Sequence, residues 1–170
     1  VSLLILGILG VSHLLSGCSS KPVDQNDPAA LLEEVDDDIR SDRFQMATDK
    51  LRMIKNRFPY SKVAIDAALK LADVYFMQES FAESAAAYEA FADLHPRHEK
   101  VPYALFRAAK SYFNDMPSTV ARDLGPAARA ETAYGEYLKR FPTGAESKEA
   151  RSDLAHVRKT LADKELYVAE

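Results

Sequence analysis

The chain of 170 residues carries a single cysteine, Cys18, within the stretch Leu14-Leu15-Ser16-Gly17-Cys18-Ser19-Ser20. One thiol forms no intramolecular disulfide, and it is too few for a zinc site built on thiolates. Cys18 is therefore either incidental or a place where chemistry is done to the protein. Other residues with chemical reach are few. His95 and His98 are close in sequence, but Pro96 fixes the backbone between them, and the stretch reads as a turn that ends a helix. His156 follows Asp153 by three residues, the spacing of an ordinary surface pair on a helix. The acidic run from Glu33 to Asp38 reads as a solvated face in the first half of a helix, where the dipole favours negative charge. There is no Gly-rich phosphate loop and no Ser nucleophile motif. The expectation is a protein that is not an enzyme and that needs no metal or diffusible cofactor.

The surroundings of Cys18 narrow its role. Residues 1–17 contain no Lys, Arg, Asp or Glu. Their apolar run is about 15 residues, short of the roughly 20 that span a bilayer comfortably. It fits the apolar core of a secretory signal. The basic stretch that normally precedes such a core is missing and residue 1 is Val, so the expectation is a sequence lacking its true N-terminus. Leu15-Ser16-Gly17-Cys18 resembles the bacterial lipobox, in which a peptidase cuts before the Cys and the thiol and new amino group are acylated. Two or more acyl chains anchor stably where one does not. Ser19 in place of Asp implies, by resemblance to enterobacterial sorting, the outer membrane. Residues 18–26 then read as the lipidated Cys and a flexible polar tether. Asp27-Pro28 opens the folded part as an N-cap followed by Pro at the first helical position.

Composition suits a helical soluble fold: 47% hydrophobic, 28% charged, and only 6 Gly. The net charge of −4 argues against a nucleic-acid partner, which would want a basic face. From residue 27 the chain repeats. Phe44 and Phe81 are 37 apart, and so are Pro59 and Pro96. Leu71, Ala72 and Tyr75 recur after the same step as Ala108, Ala109 and Tyr112. Pro142 follows Pro96 by 46, which places an insertion in the Pro- and Gly-containing stretch Asn114–Pro126. Small residues (Ala47, Ala72, Ser84, Ala109, Ala130, Ala155) stand where paired helices must approach closely. Ser80 with Glu83, and Thr143 with Glu146, match the capping box.

This pattern resembles the tetratricopeptide repeat. It implies an all-α fold, an α-solenoid superhelix of about three and a half helix-turn-helix units over residues 27–170, held by stacking neighbours. In that family the first helix of each pair lines the concave side. The register implies Leu32, Asp36 and Ile39 on the inner wall of the first unit. A peptide-binding groove would follow from Leu69, Asp73, Phe76 and Met77 in the second and Tyr103, Phe106, Lys110 and Phe113 in the third. The aromatic and apolar members would suit an extended peptide.

A lipobox, a polar tether and stacked repeats together resemble the BamD family. "RFPYSKVAIDAALKLADVYF", "FADLHPRHEKVPYALFRAA", "RDLGPAARAETAYGEYLKRFP" and the closing "LADKELYVAE" are similar to its segments, so the resemblance covers essentially all of the chain after Cys18. It implies a lipid-anchored scaffold on the periplasmic face of the cell outer membrane, within the β-barrel assembly complex. The partners it implies are unfolded β-barrel outer membrane proteins, the barrel-forming subunit, the complex's other lipoproteins, and the membrane through the lipid on Cys18. Family members have about five repeats, which implies that the sequence ending at Glu170 lacks the subunit-binding end. The first repeat is more acidic, and the insertion shorter, than the family leads one to expect. A second reading is a different periplasmic repeat lipoprotein, an adaptor in cell-wall or polysaccharide-export assemblies.

Overall fold

The computed structural model describes residues 24–169; Cys18, the apolar run and most of the tether lie outside them. Seven helices occupy the described residues: α1 (Pro28–Arg40), α2 (Phe44–Arg57), α3 (Lys62–Met77), α4 (Phe81–Leu94), α5 (Val101–Asn114), α6 (Gly125–Arg140) and α7 (Ser147–Ala169). Each packs mainly on its sequence neighbours, and α1 also touches α3, as α5 touches α7. This is the all-α architecture that the resemblance to the tetratricopeptide repeat implies, with α1/α2, α3/α4 and α5/α6 as pairs.

The helix starts follow local chemistry. Asp27 is extended, and its Oδ1 accepts from the backbone N–H groups of Ala29 and Ala30, ahead of Pro28 at the first position. Ser61 is also extended and accepts from the Ala64 N–H at 3.0 Å. The two capping boxes expected from sequence do not form. Ser80 has ψ 66°, outside the extended range, and its side chain makes no cap hydrogen bond to α4. Glu146 instead accepts from the buried Tyr137 hydroxyl at 3.0 Å, and α7 begins only at Ser147. Gly144, in that turn, has no room for a side chain, because a Cβ there would meet the Tyr137 hydroxyl at 2.8 Å.

The backbone repeats as the sequence does. Asp42 and Glu79, 37 apart, close the α1–α2 and α3–α4 turns with φ of 54° and 58°. The insertion between α5 and α6 is tied down from α7, whose Lys164 ammonium donates to the Val120 carbonyl at 2.7 Å.

The core is a row of clusters along the array. The first gathers Leu31, Val35, Leu51, Ile54, Leu71 and Val74; the second Ala72, Tyr88, Phe91, Val101 and Ala104; the third Phe106, Tyr112, Tyr134, Tyr137, Leu154 and Val157. Ala47, Ala72, Ser84, Ala109 and Ala130 are fully buried at the helix crossings. Ala155 is the exception and is exposed on α7. Ser84 keeps its hydroxyl satisfied by donating to the Ala72 carbonyl at 3.1 Å, and the Ser111 hydroxyl lies 3.0 Å from it. These small residues let α3, α4 and α5 meet at one point without an unpaired polar atom.

The acidic run is not simply a solvated face. Its residues lie about 100° apart around α1. Asp37 pairs with Arg40 in solvent, Asp36 reaches Lys70 on α3, and Asp38 is buried against Lys50 and Arg43.

Candidate binding face

The first helices of successive pairs, α1, α3, α5 and α7, are linked by a polar ladder that obeys the repeat. Asp36, Asp73 and Lys110 are 37 apart in turn; Lys70 and Arg107 are also 37 apart, and Asp153 follows Arg107 by the enlarged step of 46. At the first step the Lys70 ammonium meets the Asp36 carboxylate at 2.5 Å. At the last step the charges are reversed, and Lys110 meets Asp153 at 2.7 Å and Glu149 at 2.8 Å. Burial would depress the Lys110 ammonium, but hydrogen bonds to those two carboxylates outweigh it and hold its pKa above the ordinary value.

The middle step is built differently. Asp73 Oδ1 accepts from two phenols, Tyr88 at 2.5 Å from α4 and Tyr103 at 2.7 Å from α5. The rings of those tyrosines meet edge to face, with centroids 6.1 Å apart. Burial, reinforced by the adjacent carboxylate, raises both hydroxyls: Tyr103 is pushed up to about 12, and Tyr88 rises further. Arg107 sits over this cluster. Its Cζ is 3.5 Å from the Phe76 centroid, and its Nε donates to the Tyr88 hydroxyl at 3.2 Å. Phe76 also meets Phe81 edge to face at 5.3 Å.

Of the eight groove residues expected from sequence, seven keep some access to solvent: Leu69, Asp73, Phe76, Tyr103, Lys110 and Phe113 are half-buried and Met77 is 49% exposed. Phe106 is a correction. It is 5% exposed and packs between Tyr134 and Tyr137 of α6, so it belongs to the core between α5 and α6 and offers nothing to a groove. Phe113 is partly covered by His156, whose ring stands 5.6 Å from it. That is also where His156 goes in place of the surface pair with Asp153, which is engaged by Lys110 and Tyr134. His95 and His98 both pack on Phe91 at the end of α4, at 5.4 and 5.1 Å.

The open part of the face is therefore Leu69, Asp73, Phe76, Met77 and Tyr103, with Arg107 in its middle. Arg107 is not among the residues carried over by resemblance. Its signal in the sequence is the step of 37 from Lys70, taken together with the same step from Asp36 to Asp73. Among the described residues no helix is long and apolar enough to cross a membrane.

Fold and face together define a tetratricopeptide-like repeat array with an aromatic, charge-laddered inner wall. Solved structures agree on the fold. The first tetratricopeptide domain of human RPAP3 superposes with a TM-score of 0.57 at 20% identity, covering 83% of this chain and 97% of that one. The first such domain of Spaghetti (RPAP3), bound to an HSP90 peptide, superposes with a TM-score of 0.58 at 19% identity, covering 84% and 99%. The family model YfiO, described as an outer membrane lipoprotein, matches residues 24–170. The chain belongs to this family, which is the BamD family. The outer membrane protein assembly factor BamD of Vibrio cholerae is 26% identical over 176 residues, covering 96% of this chain and 72% of the relative. BamD of Neisseria gonorrhoeae is 27% identical over 182 residues, covering 97% and 68%. BamD of Neisseria meningitidis serogroup A is 28% identical over 148 residues, and the match spans 55% of that relative's length.

Proposed function

We propose that this protein is a lipid-anchored scaffold of the outer-membrane β-barrel assembly complex. It holds unfolded barrel proteins on its inner face while they are handed on for folding and insertion. It acts by binding and without a cofactor of its own. Cys18 carries the lipid, and residues 19–26 are the leash that lets the array work from the periplasmic surface of the membrane. The barrel-forming subunit and the complex's other lipoproteins are its standing partners. The observation that carries this reading is the open strip of Phe76, Met77 and Tyr103 between α3 and α5, in a chain whose relatives are outer membrane protein assembly factors. A half-exposed aromatic strip bordered by polar side chains suits an extended chain of alternating apolar and polar side chains.

Binding of a fluorescent peptide from the C-terminal strand of a barrel protein to the full chain in detergent tests it. Phe76→Ala combined with Met77→Ala should weaken binding by about tenfold, the loss of one or two well-packed contacts. Phe106→Ala should act on stability, lowering it by about 3–5 kcal/mol as a large core truncation. A folded chain that binds no such peptide would overturn the groove assignment. For the anchor, Cys18→Ser should leave the membrane fraction once partner proteins are absent; a variant that stays would refute lipidation at Cys18.

A further inference from the structure

We infer that the edge of the array formed by the α2–α3, α4–α5 and α6–α7 turns docks on anionic phospholipid headgroups and stands the helices upright on the membrane. The inference rests on the proposed lipid at Cys18, which brings the chain to a membrane, and names the surface that meets it. Contacts join the turns into one edge. Lys55 and Pro59 share a cleft with Leu94 and His95, and Arg97 and His98 share the next with Arg140 and Phe141. The described chain also begins here: Arg57 donates to the Asn26 side chain at 3.0 Å, just ahead of α1. Cys18 lies six residues before Asp24, a span of at most about 20 Å when fully extended. The start of α1 is thereby held close to the anchoring surface.

The edge is basic although the chain is acidic. Residues 55–62, 95–100 and 139–148 hold eight Lys and Arg against Glu99 and Glu146, in a chain of net charge −4. All eight are exposed, and among the described residues none lies within 4 Å of a carboxylate. Glu146 is engaged by Tyr137, and Asp27 is spent on capping α1, which leaves Asp24 and Glu99 as the opposing charges. Helix dipoles account for part of the pattern. Lys55, Arg57, Lys139 and Arg140 fall in the last turns of α2 and α6, where cations are favoured. They do not account for Lys62, Lys100 and Lys148, which stand at the starts of α3, α5 and α7, where a cation is disfavoured. The opposite edge, at the α1–α2, α3–α4 and α5–α6 turns, carries Asp42, Glu79, Asp115 and Asp123 against Arg43 and Arg122. An anionic plane therefore attracts one edge and repels the other. Tyr60 is fully exposed on the basic edge and Leu94 is 74% exposed. A tyrosine ring is at home among headgroups. Acyl chains anchor without help, so what the edge adds is orientation. The helices run away from the membrane, and the wall of α1, α3, α5 and α7 opens sideways to an incoming chain.

Two vesicle types test this on the full chain: brominated phosphatidylcholine alone, and the same lipid with about one third phosphatidylglycerol. Cys18→Ser removes the proposed lipid, and residues 1–17, which carry no charged side chain, act alike on both vesicles. That variant should bind the anionic vesicles at least about tenfold tighter than the neutral ones, since each basic residue near such a surface adds about fivefold. Added salt should shrink the gap. Lys62→Gln, Arg97→Gln and Lys100→Gln together should remove most of it with helix content unchanged. The chain has no Trp, so Tyr60→Trp places one reporter on the basic edge and Met46→Trp one near the opposite edge. Bromolipid should quench the first and spare the second. Equal binding of Cys18→Ser to both vesicles would overturn the inference, whether or not the anchor holds, and that comparison needs no edge variant to fold. Quenching at Met46→Trp as strong as at Tyr60→Trp would overturn it too. The anchor is judged apart from this: it fails if the unmodified chain floats with neutral vesicles no better than Cys18→Ser.

Discussion

Asp38 shows how much one side chain can hold in a thin array. It is 2% exposed near the end of α1, with the Lys50 ammonium at 2.7 Å and the Arg43 guanidinium at 2.9 Å. Burial alone would raise its carboxyl, but hydrogen bonds from Lys50 and then Arg43 outweigh that and hold it below the ordinary 3.8. A carboxyl depressed in the folded state stabilises above its unfolded pKa, and the contribution is lost as pH falls through the lower folded value. Urea midpoints should therefore show Asp38→Asn weaker by about 1–3 kcal/mol at pH 7, with the gap closing below pH about 4. Parallel curves for the two proteins would show that the pair contributes nothing. From sequence this residue is one of six in an acidic-looking run, because composition does not say which way each points. Asp36, Asp37 and Asp38 face three directions, and only the packing of α2 and α3 on α1 separates ladder, solvent and core. Phe106 fails for the same reason. Its register puts it near the inner wall, and the rings of α6 then cover it. The small residues at the crossings were more legible, since nothing larger fits there and the step of 37 marks them twice.

At the scale of elements, the turns carry a device that spacing alone does not reveal. Asp42 and Glu79 take the same left-handed conformation one repeat apart. Such a conformation is costly for a side-chain-bearing residue, less so for Asp, whose short polar group bonds locally. Glu79 has no such help. Glu79→Gly should therefore stabilise by about 1 kcal/mol, net of the entropy glycine adds to the unfolded chain. That is a rise of about 2–4 °C in melting temperature for a domain of this size. Asp42→Gly should gain less than half as much. A melting temperature that falls in Glu79→Gly would mean that the side chain, and not the turn, was holding α3 to α4. Helix starts divide in the same way. Asp27 and Ser61 cap because their backbones are extended, whereas Ser80 has the right chemistry on the wrong dihedral. A motif in sequence names the atoms of a cap; only the entering chain direction decides whether they meet.

For the whole molecule, the buried side chains fall into three clusters that follow one another along the array. Stability is then close to a sum of units and of the joints between neighbours. The critical joint is where α3, α4 and α5 meet, because it links the α1–α3 cluster to the α5–α7 cluster and also supports the face that holds Phe76, Tyr103 and Arg107. Ser84 sits at that joint, fully buried, with the Ala72 carbonyl on one side and the Ser111 hydroxyl on the other. Ser84→Leu must push the helices apart, an overpacking cost of about 1–3 kcal/mol, and it also leaves the Ser111 hydroxyl without that neighbour. If the joint couples the two halves, its loss should do more than lower stability. Urea unfolding should change from one transition to two, and hydrogen exchange in α1–α3 should part from that in α6–α7. Ser84→Ala, which keeps the spacing, should lose only about 1 kcal/mol with a single transition retained. A uniform loss in Ser84→Leu, with all helices still exchanging together, would place the coupling elsewhere. The face would then be stiffened by the ladder of ion pairs and phenols along α1, α3, α5 and α7, and not by the buried joint behind it.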